Sequence, residues 1–180
     1  MGRDLFIAGL ISSHGGNLSE REGSHIHITR TGSALGRLGE RDVVTVPFSA
    51  DAPGAADADV SASVELVVHR RLYRALPDAR AVAHAHTPYA TALSFGTDWI
   101  EPADSEAKLI LGRVPVVACE TTIGSPVAAD LLAAALVDSG CPVAVLRGHG
   151  PFAAAADLSD AWRAISVLEM SCKILTILHP

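Results

Sequence analysis

Nine residues, Arg80 to Pro88, constrain this chain most: they read RAVAHAHTP. Ala81, Val82 and Ala83 form an apolar lead into His84 and His86, and Thr87-Pro88 closes the run. Alternate side chains of a strand share a face, so His84 and His86 can reach one ion together. Imidazole is the commonest protein ligand for zinc and similar metals. The stretch therefore reads as a strand whose end holds a catalytic metal. The rest of the chain must then supply a third ligand, an acid/base and a seat for the substrate.

A length of 180 residues fits one domain, spanning 1–180, with room for a sizeable core. Side chains that are 49% hydrophobic but only 4% aromatic suit closely packed α/β layers. The net charge is −6 with scattered basic residues, which argues against a nucleic-acid surface. Charges, Gly or Pro break every apolar run before membrane-spanning length, and no secretory signal is visible. Cys119, Cys141 and Cys172 are odd in number, widely spaced and set among apolar residues. They read as buried free thiols in a reducing compartment, so a cytoplasmic protein is expected.

Taken in order, Arg3 to Ile11 reads as the end of a helix. Ser12 to Ser19 is a Gly-rich turn that can present backbone N–H groups to an anion, although ordinary turns look the same. His25-Ile26-His27-Ile28 alternates like a strand and is a second H-x-H. Two outward histidines on a wet strand are usually surface residues, so it ranks below His84 and His86. Val43 to Val46 reads as a strand, and Ser49 to Ala58 as a mobile loop. A helix is expected from Ser61, capped by Ser61 or Ser63, with Leu66, Val67, Leu72 and Leu76 as its apolar stripe. Glu65 then lies in the first turn, where the helix dipole favours a carboxylate. His69 lies one turn on and reads as a packed or hydrogen-bonded partner.

Beyond the H-x-H strand, short helices are expected over Tyr89 to Ser94 and Ser105 to Leu111, with a loop from Thr97 to Ala103 between them. A strand follows from Val114 to Ala118. A helix from Val127 to Val137 opens with Pro126 and closes at Gly140. The strand Pro142 to Leu146 ends in Arg147-Gly148-His149-Gly150. A histidine between glycines at a strand terminus is placed to bind a ligand. Asp157 or Ser159 caps the last helix, Ala161 to Leu178, with Ile165, Leu168, Cys172, Leu175 and Leu178 toward the core.

Three neutral imidazoles, His84, His86 and His149, with an open fourth position are the pattern of a catalytic zinc site. Glu65 could move protons beside it. A phosphate could sit against Gly16-Asn17, Thr31-Gly32 and Ser63 at a helix N-terminus.

The order of these parts resembles the class II aldolase/adducin family, and within it most the L-fuculose-1-phosphate aldolases. The resemblance runs through DLFIAGLIS, GGNLS, ITRTG, the strand at Asp42 to Val46, SVELVVH, VAHAHTP and RGHGPF. It implies a three-layer α/β/α domain around a central, mostly antiparallel sheet, and a cyclic homotetramer with sites between subunits. It implies His84, His86 and His149 as ligands of zinc or another divalent ion, and Glu65 as the acid/base. It implies phosphate contacts at Gly16, Asn17, Thr31, Gly32 and Ser63. The implied reaction is reversible cleavage of a ketose 1-phosphate to dihydroxyacetone phosphate and an aldehyde. Epimerases, dehydratases and non-catalytic adducin head domains share the scaffold. The chain has Val64 where the family has a second Ser, and Arg30 where it has Pro. No Tyr lies between Trp99 and Gly112, where fuculose aldolases place an acid on a neighbouring subunit.

Overall fold

The Ala81 to His84 run is a strand, buried along its whole length, near the middle of an eight-stranded sheet. A computed structural model of the chain describes residues 1–49 and 61–178. The loop expected from Ser49 to Ala58 lies, beyond Ser49, outside the described residues. In chain order the elements are α1 (Gly2–Ile7), β1 (Asn17–Glu22), β2 (His25–Thr29), β3 (Val43–Pro47), α2 (Leu66–Ala75), β4 (Ala81–His84) and α3 (Pro88–Ser94). They continue with β5 (Trp99–Ile100), α4 (Ser105–Ile110), β6 (Val114–Val117), α5 (Pro126–Ser139), β7 (Val143–Leu146), β8 (Gly150–Ala155) and α6 (Leu158–Leu178).

The strand order is β3-β2-β1-β4-β8-β7-β6-β5. Among the described residues β6 and β7 pair in parallel, and every other neighbouring pair is antiparallel. Strands β4, β6, β7 and β8 are buried on both faces, as short apolar strands require, whereas β2 and β3 leave one face open. Val82, Ala144, Leu146 and Phe152 point to one side and pack with Leu66, Val68 and Leu72 of α2 and Ala128, Leu132 and Leu136 of α5. Ala83, Val143, Val145 and Ala153 point to the other side, toward Leu5 of α1, Ala90 of α3, Ala107 of α4 and Ile165 and Leu168 of α6. This is the expected three-layer α/β/α arrangement with a mostly antiparallel sheet. Among the described residues no helix is long and apolar enough to cross a membrane.

Helix α5 begins and ends as its sequence dictates. Ser125 Oγ accepts the Ala128 N–H (3.2 Å), Pro126 occupies the first turn, and Gly140 closes the helix at φ 65°. Asp157 caps α6 by accepting the Asp160 N–H at 2.8 Å, so the helix starts at Leu158, ahead of the expected Ala161. Ile165, Leu168 and Cys172 face the core, whereas Leu178 is exposed, against expectation. Cys141 and Cys172 are buried and Cys119 is half-exposed; all three are free thiols.

Three expectations fail for physical reasons. The helix expected from Ser61 starts at Leu66, with Glu65 as its N-cap. Residues 61–63 are tied instead to the end of β2: Thr31 N–H donates to Ser61 O, Ser63 N–H donates to Thr29 O, and Arg30 bridges Ala62. The Gly-rich turn ends at Gly16, because Asn17, Leu18 and Ser19 already pair with His84, Ala83 and Val82 of β4. The Thr97 to Ala103 loop contains β5, made a strand by pairing with β6. The segment after His149, for which the sequence carried no expectation, is the strand β8, imposed likewise by pairing with its neighbours.

Candidate metal centre and anion pocket

Three backbone devices bring the ligands together. His84 ends β4, and His86 lies two residues beyond it. His149 sits in the tight turn between β7 and β8, where its N–H donates to Leu146 O at 3.0 Å. Strand β8 pairs with β4, setting Phe152 opposite His84, and the two rings stack with centroids 3.9 Å apart. Gly150 makes this crossing possible: at φ 150° it passes so close to β4 that any Cβ would overlap the carbonyl oxygen of Ala85. Arg147 pins the turn from the other side, donating to Ser94 O (2.9 Å), Thr97 O (3.0 Å) and Asp98 Oδ1 (2.6 Å).

The imidazole nitrogens then converge. His84 Nε2 lies 3.0 Å from His86 Nε2 and 3.2 Å from His149 Nε2. Two nitrogens on one tetrahedral zinc are about 3.3 Å apart, given metal–nitrogen bonds of about 2.0–2.1 Å. The Pro151 carbonyl, 3.0 Å from His84 Nδ1, fixes the tautomer. Because a carbonyl only accepts, Nδ1 carries the proton and Nε2 is a bare lone pair. That lone pair faces two other imidazole nitrogens and Glu65 Oε2 at 3.3 Å. Such a convergence of lone pairs is what a cation relieves, and among the described residues these three histidines form the group that could hold a metal. Burial lowers the basicity of all three, pushing His149 to about 4 and His84 well below the usual imidazole range. They are therefore neutral, which is the ligating form.

Glu65 approaches from the N-cap of α2 and is buried. Its carboxylate is turned inward to Asn17 Nδ2, which donates to Oε2 at 3.2 Å. Oε1 lies 3.8 Å from His149 Nε2. Burial raises the carboxyl to about 7, and the donors from Asn17 and the Gly124 backbone only partly oppose it. A carboxyl near neutrality beside a metal group is suited to taking and returning a proton.

The five residues read from the sequence as phosphate contacts border one pocket of about 200 Å³. Gly16, Asn17, Thr31, Gly32 and Ser63 line it together with Glu65, His86 and His149. Gly16 is at φ 78°, and a Cβ there would stand 2.5 Å from His84 O, so only glycine lets the turn approach the ligand strand. Ser63 Oγ accepts the Glu65 N–H at 3.3 Å, which leaves its own proton to donate. Thr31 is differently placed. Its N–H donates to Ser61 O and its hydroxyl to Ala62 O at 2.9 Å, so both donors hold the 61–62 backbone. Ser63 lies ahead of the helix N-terminus and not within it. Arg30 and Val64 also line the pocket.

The rival pair is elsewhere. His25 is exposed, and His27 faces Thr45 Oγ1 (2.9 Å) and Glu22 on the outer strands. His69 is a fully buried hydrogen-bonded partner, as expected. Glu169 is a structural residue that sequence reasoning misses: its carboxylate accepts the N–H groups of Tyr89 and Ala90, both at 2.8 Å, at the start of α3. The available signal is an acid on the core stripe of α6, between Ile165 and Cys172.

Residues 1–176 match the family model described as Class II Aldolase and Adducin N-terminal domain. The chain belongs to the class II aldolase and adducin family. An L-fuculose phosphate aldolase of Methanocaldococcus jannaschii is 33% identical over 180 residues, covering 98% of this chain and 92% of that protein. The crystal structure of an L-fuculose-1-phosphate aldolase from Thermus thermophilus superposes with a TM-score of 0.89 at 38% identity, covering 98% of this chain and 89% of that one. A methylthioribulose-1-phosphate dehydratase of Acidiphilium cryptum is 34% identical over 185 residues, covering 96% and 86%. Class II aldolases work with a divalent metal, and the three-histidine group fits that use.

Proposed function

We propose that this class II aldolase family member is a zinc enzyme that reversibly cleaves a ketose 1-phosphate, such as L-fuculose 1-phosphate, to dihydroxyacetone phosphate and an aldehyde. One observation carries the reading. A single pocket is lined by His86, His149 and Glu65 together with Gly16, Asn17, Gly32 and Ser63. A phosphorylated sugar needs both an anion seat and a group that polarises a carbonyl within its own length.

In this reading His84, His86 and His149 hold the ion, and three neutral nitrogen donors with an open position suit zinc. Bound there, the divalent cation supplies positive charge that polarises a carbonyl and stabilises developing negative charge. Glu65 takes and returns the proton on the adjacent carbon. The phosphate rests against Gly16-Asn17, Gly32 and the Ser63 hydroxyl, and Thr31 reaches it once its hydroxyl turns away from Ala62. Val64 and Ile123 are exposed apolar side chains on the pocket rim. They support assembly as a homotetramer with a neighbouring subunit over the site. Cytoplasmic residence belongs to the same proposal.

The test is product identification. Metal-replete protein incubated with fuculose, rhamnulose or ribulose 1-phosphate is followed by NMR. Two carbon fragments are expected, one of them dihydroxyacetone phosphate. Glu65→Gln is expected to keep its metal and lose turnover by about 10²- to 10⁴-fold, the range for a general acid/base. A second reading is dehydration of a methylthio-sugar phosphate or epimerisation of a pentulose 5-phosphate. It is favoured by the absence of Tyr from Trp99 to Gly112 and by the dehydratase relative. A single unbroken product would identify it. Neither turnover nor stoichiometric metal would point to a non-catalytic binding module.

A further inference from the structure

Behind the pocket wall runs a buried chain of hydrogen bonds. Tyr73 OH lies 2.8 Å from Ser19 Oγ, and Ser19 Oγ lies 2.6 Å from His69 Nδ1. His69 Nε2 lies 2.5 Å from Asn17 Oδ1, and Asn17 Nδ2 donates to Glu65 Oε2 at 3.2 Å. All five side chains are buried, from β1, α2 and the N-cap of α2.

The chemistry of the links gives the chain one direction. An amide oxygen only accepts, so His69 Nε2 carries a proton. The ring is fully buried, and desolvation keeps it neutral by lowering its pKa to about 3. A neutral imidazole has one proton, so Nδ1 is bare and accepts from the Ser19 hydroxyl. Ser19 Oγ is then the acceptor for Tyr73 OH, which also reaches Ser19 O at 3.0 Å. Every proton in the chain points toward Glu65.

The Asn17 amide is the link that matters. Its two ends have similar shapes, and an amide can sit either way round if its partners allow. Turned round, Oδ1 would face the Glu65 carboxylate and any anion in the pocket, and like-signed groups would meet in a site of low dielectric. We propose that His69 is a positioning residue: its Nε2–H locks the Asn17 amide with the NH₂ toward Glu65 and the pocket, and Ser19 with Tyr73 locks the His69 tautomer. The inference rests on the reading of Glu65 and Asn17 given under Proposed function, but its geometry stands without any turnover.

The decisive experiment reads the tautomer directly. Long-range ¹H–¹⁵N correlation on the protein as purified, labelled at its histidine nitrogens, is expected to show His69 protonated at Nε2 and bare at Nδ1. The opposite tautomer, or exchange between the two, overturns the proposal. Inorganic phosphate binding supplies the second readout. His69→Phe keeps the ring volume and removes the N–H, and is expected to weaken phosphate binding at least tenfold with metal content unchanged. His69→Gln, whose amide N–H can reach Asn17 Oδ1, is expected to recover most of it. Wild-type affinity in His69→Phe also overturns the proposal. Should wild-type protein bind no phosphate, the anion-pocket reading fails and the tautomer alone decides. Should no sugar phosphate turn over while tautomer and rescue both hold, the aldolase reading fails and this one survives.

Discussion

His69 is held neutral by its burial, and that charge state couples stability to pH. The side chains its ring touches are uncharged, Ser19 and Asn17 of β1 and Phe152 of β8 in edge contact, and the carboxyl of Glu65, one turn back on the same helix face, is reached only through Asn17. Protonation would break the bond from Ser19 and bury a charge without a partner. The folded pKa is about 3 against an ordinary 6.5, so between those values the unfolded chain holds a proton that the folded chain lacks. Stability conferred by the neutral ring is therefore complete above pH 6.5 and is lost as pH falls toward 3. Linkage puts the loss between pH 7 and pH 5 at about 2 kcal/mol for this one group. Urea midpoints of metal-free wild type and His69→Gln at the two pH values check it. The wild type should lose about 2 kcal/mol more than the variant over that interval, and equal losses would show that His69 is protonated in the fold or exposed. That His69 is a hydrogen-bonded partner could be read from its place on one face with Glu65. Its partners could not be read, because Asn17 and Ser19 lie about fifty residues away in a polar segment with no strand pattern.

Elements that follow simple periodic rules were legible, and those held by distant partners were not. Strand β4, strand β7 and helix α5 show their apolar pattern, cap and terminating glycine in consecutive residues. Strand β1 (NLSERE) does not. It is a strand because β4 and β2 flank it and because its inward polar atoms find partners: Ser19 bonds His69, and the Leu18 N–H donates to Thr29 Oγ1 at 3.2 Å. Strand β8 (GPFAAA) carries little strand propensity and is imposed by pairing on both sides. Helix α2 lost its first turn to Thr29 and Thr31, an interaction invisible in local sequence. Helix α3 shows the same dependence. Its N-cap Thr87 makes no side-chain capping bond, and Glu169 of α6 supplies both acceptors. Because α3 begins right after His86, this carboxylate also braces the metal-ligand segment. Glu169→Leu orphans two backbone donors at about 1–3 kcal/mol each. It should lower stability by about 2–6 kcal/mol, whereas Glu169→Gln, with one acceptor left, should lose roughly half as much. Chemical denaturation of the three proteins decides the point, and equal stability of wild type and the Leu variant would remove Glu169 as a cap.

On the scale of the whole molecule, the candidate site is where the two halves of the sheet meet. His84 belongs to β4, His149 to the β7–β8 turn, and Glu65 to a helix on one face, while Asn17 comes from β1 on the far side of β4. A cation held by the three histidines would tie together segments 65 residues apart in the chain, and it would bind only the folded arrangement that brings them together. Ligand binding to the folded state alone adds stability as RT ln(1 + [L]/Kd), about 4 kcal/mol when the free metal is roughly a thousandfold above Kd. For a chain of this size about 1 kcal/mol moves Tm by about 2–4 °C. Removing the metal with a chelator should therefore lower Tm by about 8–16 °C, and restoring zinc should return it. His84→Ala provides the control, since it removes the central nitrogen of the cluster. Its Tm should be insensitive to chelator and to added zinc, and close to that of chelated wild type once the cost of the lost ring is allowed for. Glu65→Gln should keep most of the zinc-dependent rise, because it leaves the three nitrogens in place. A rise that persists in His84→Ala would locate the stabilising metal elsewhere in the molecule, and a rise lost in Glu65→Gln would make the carboxylate a fourth ligand in place of a proton carrier.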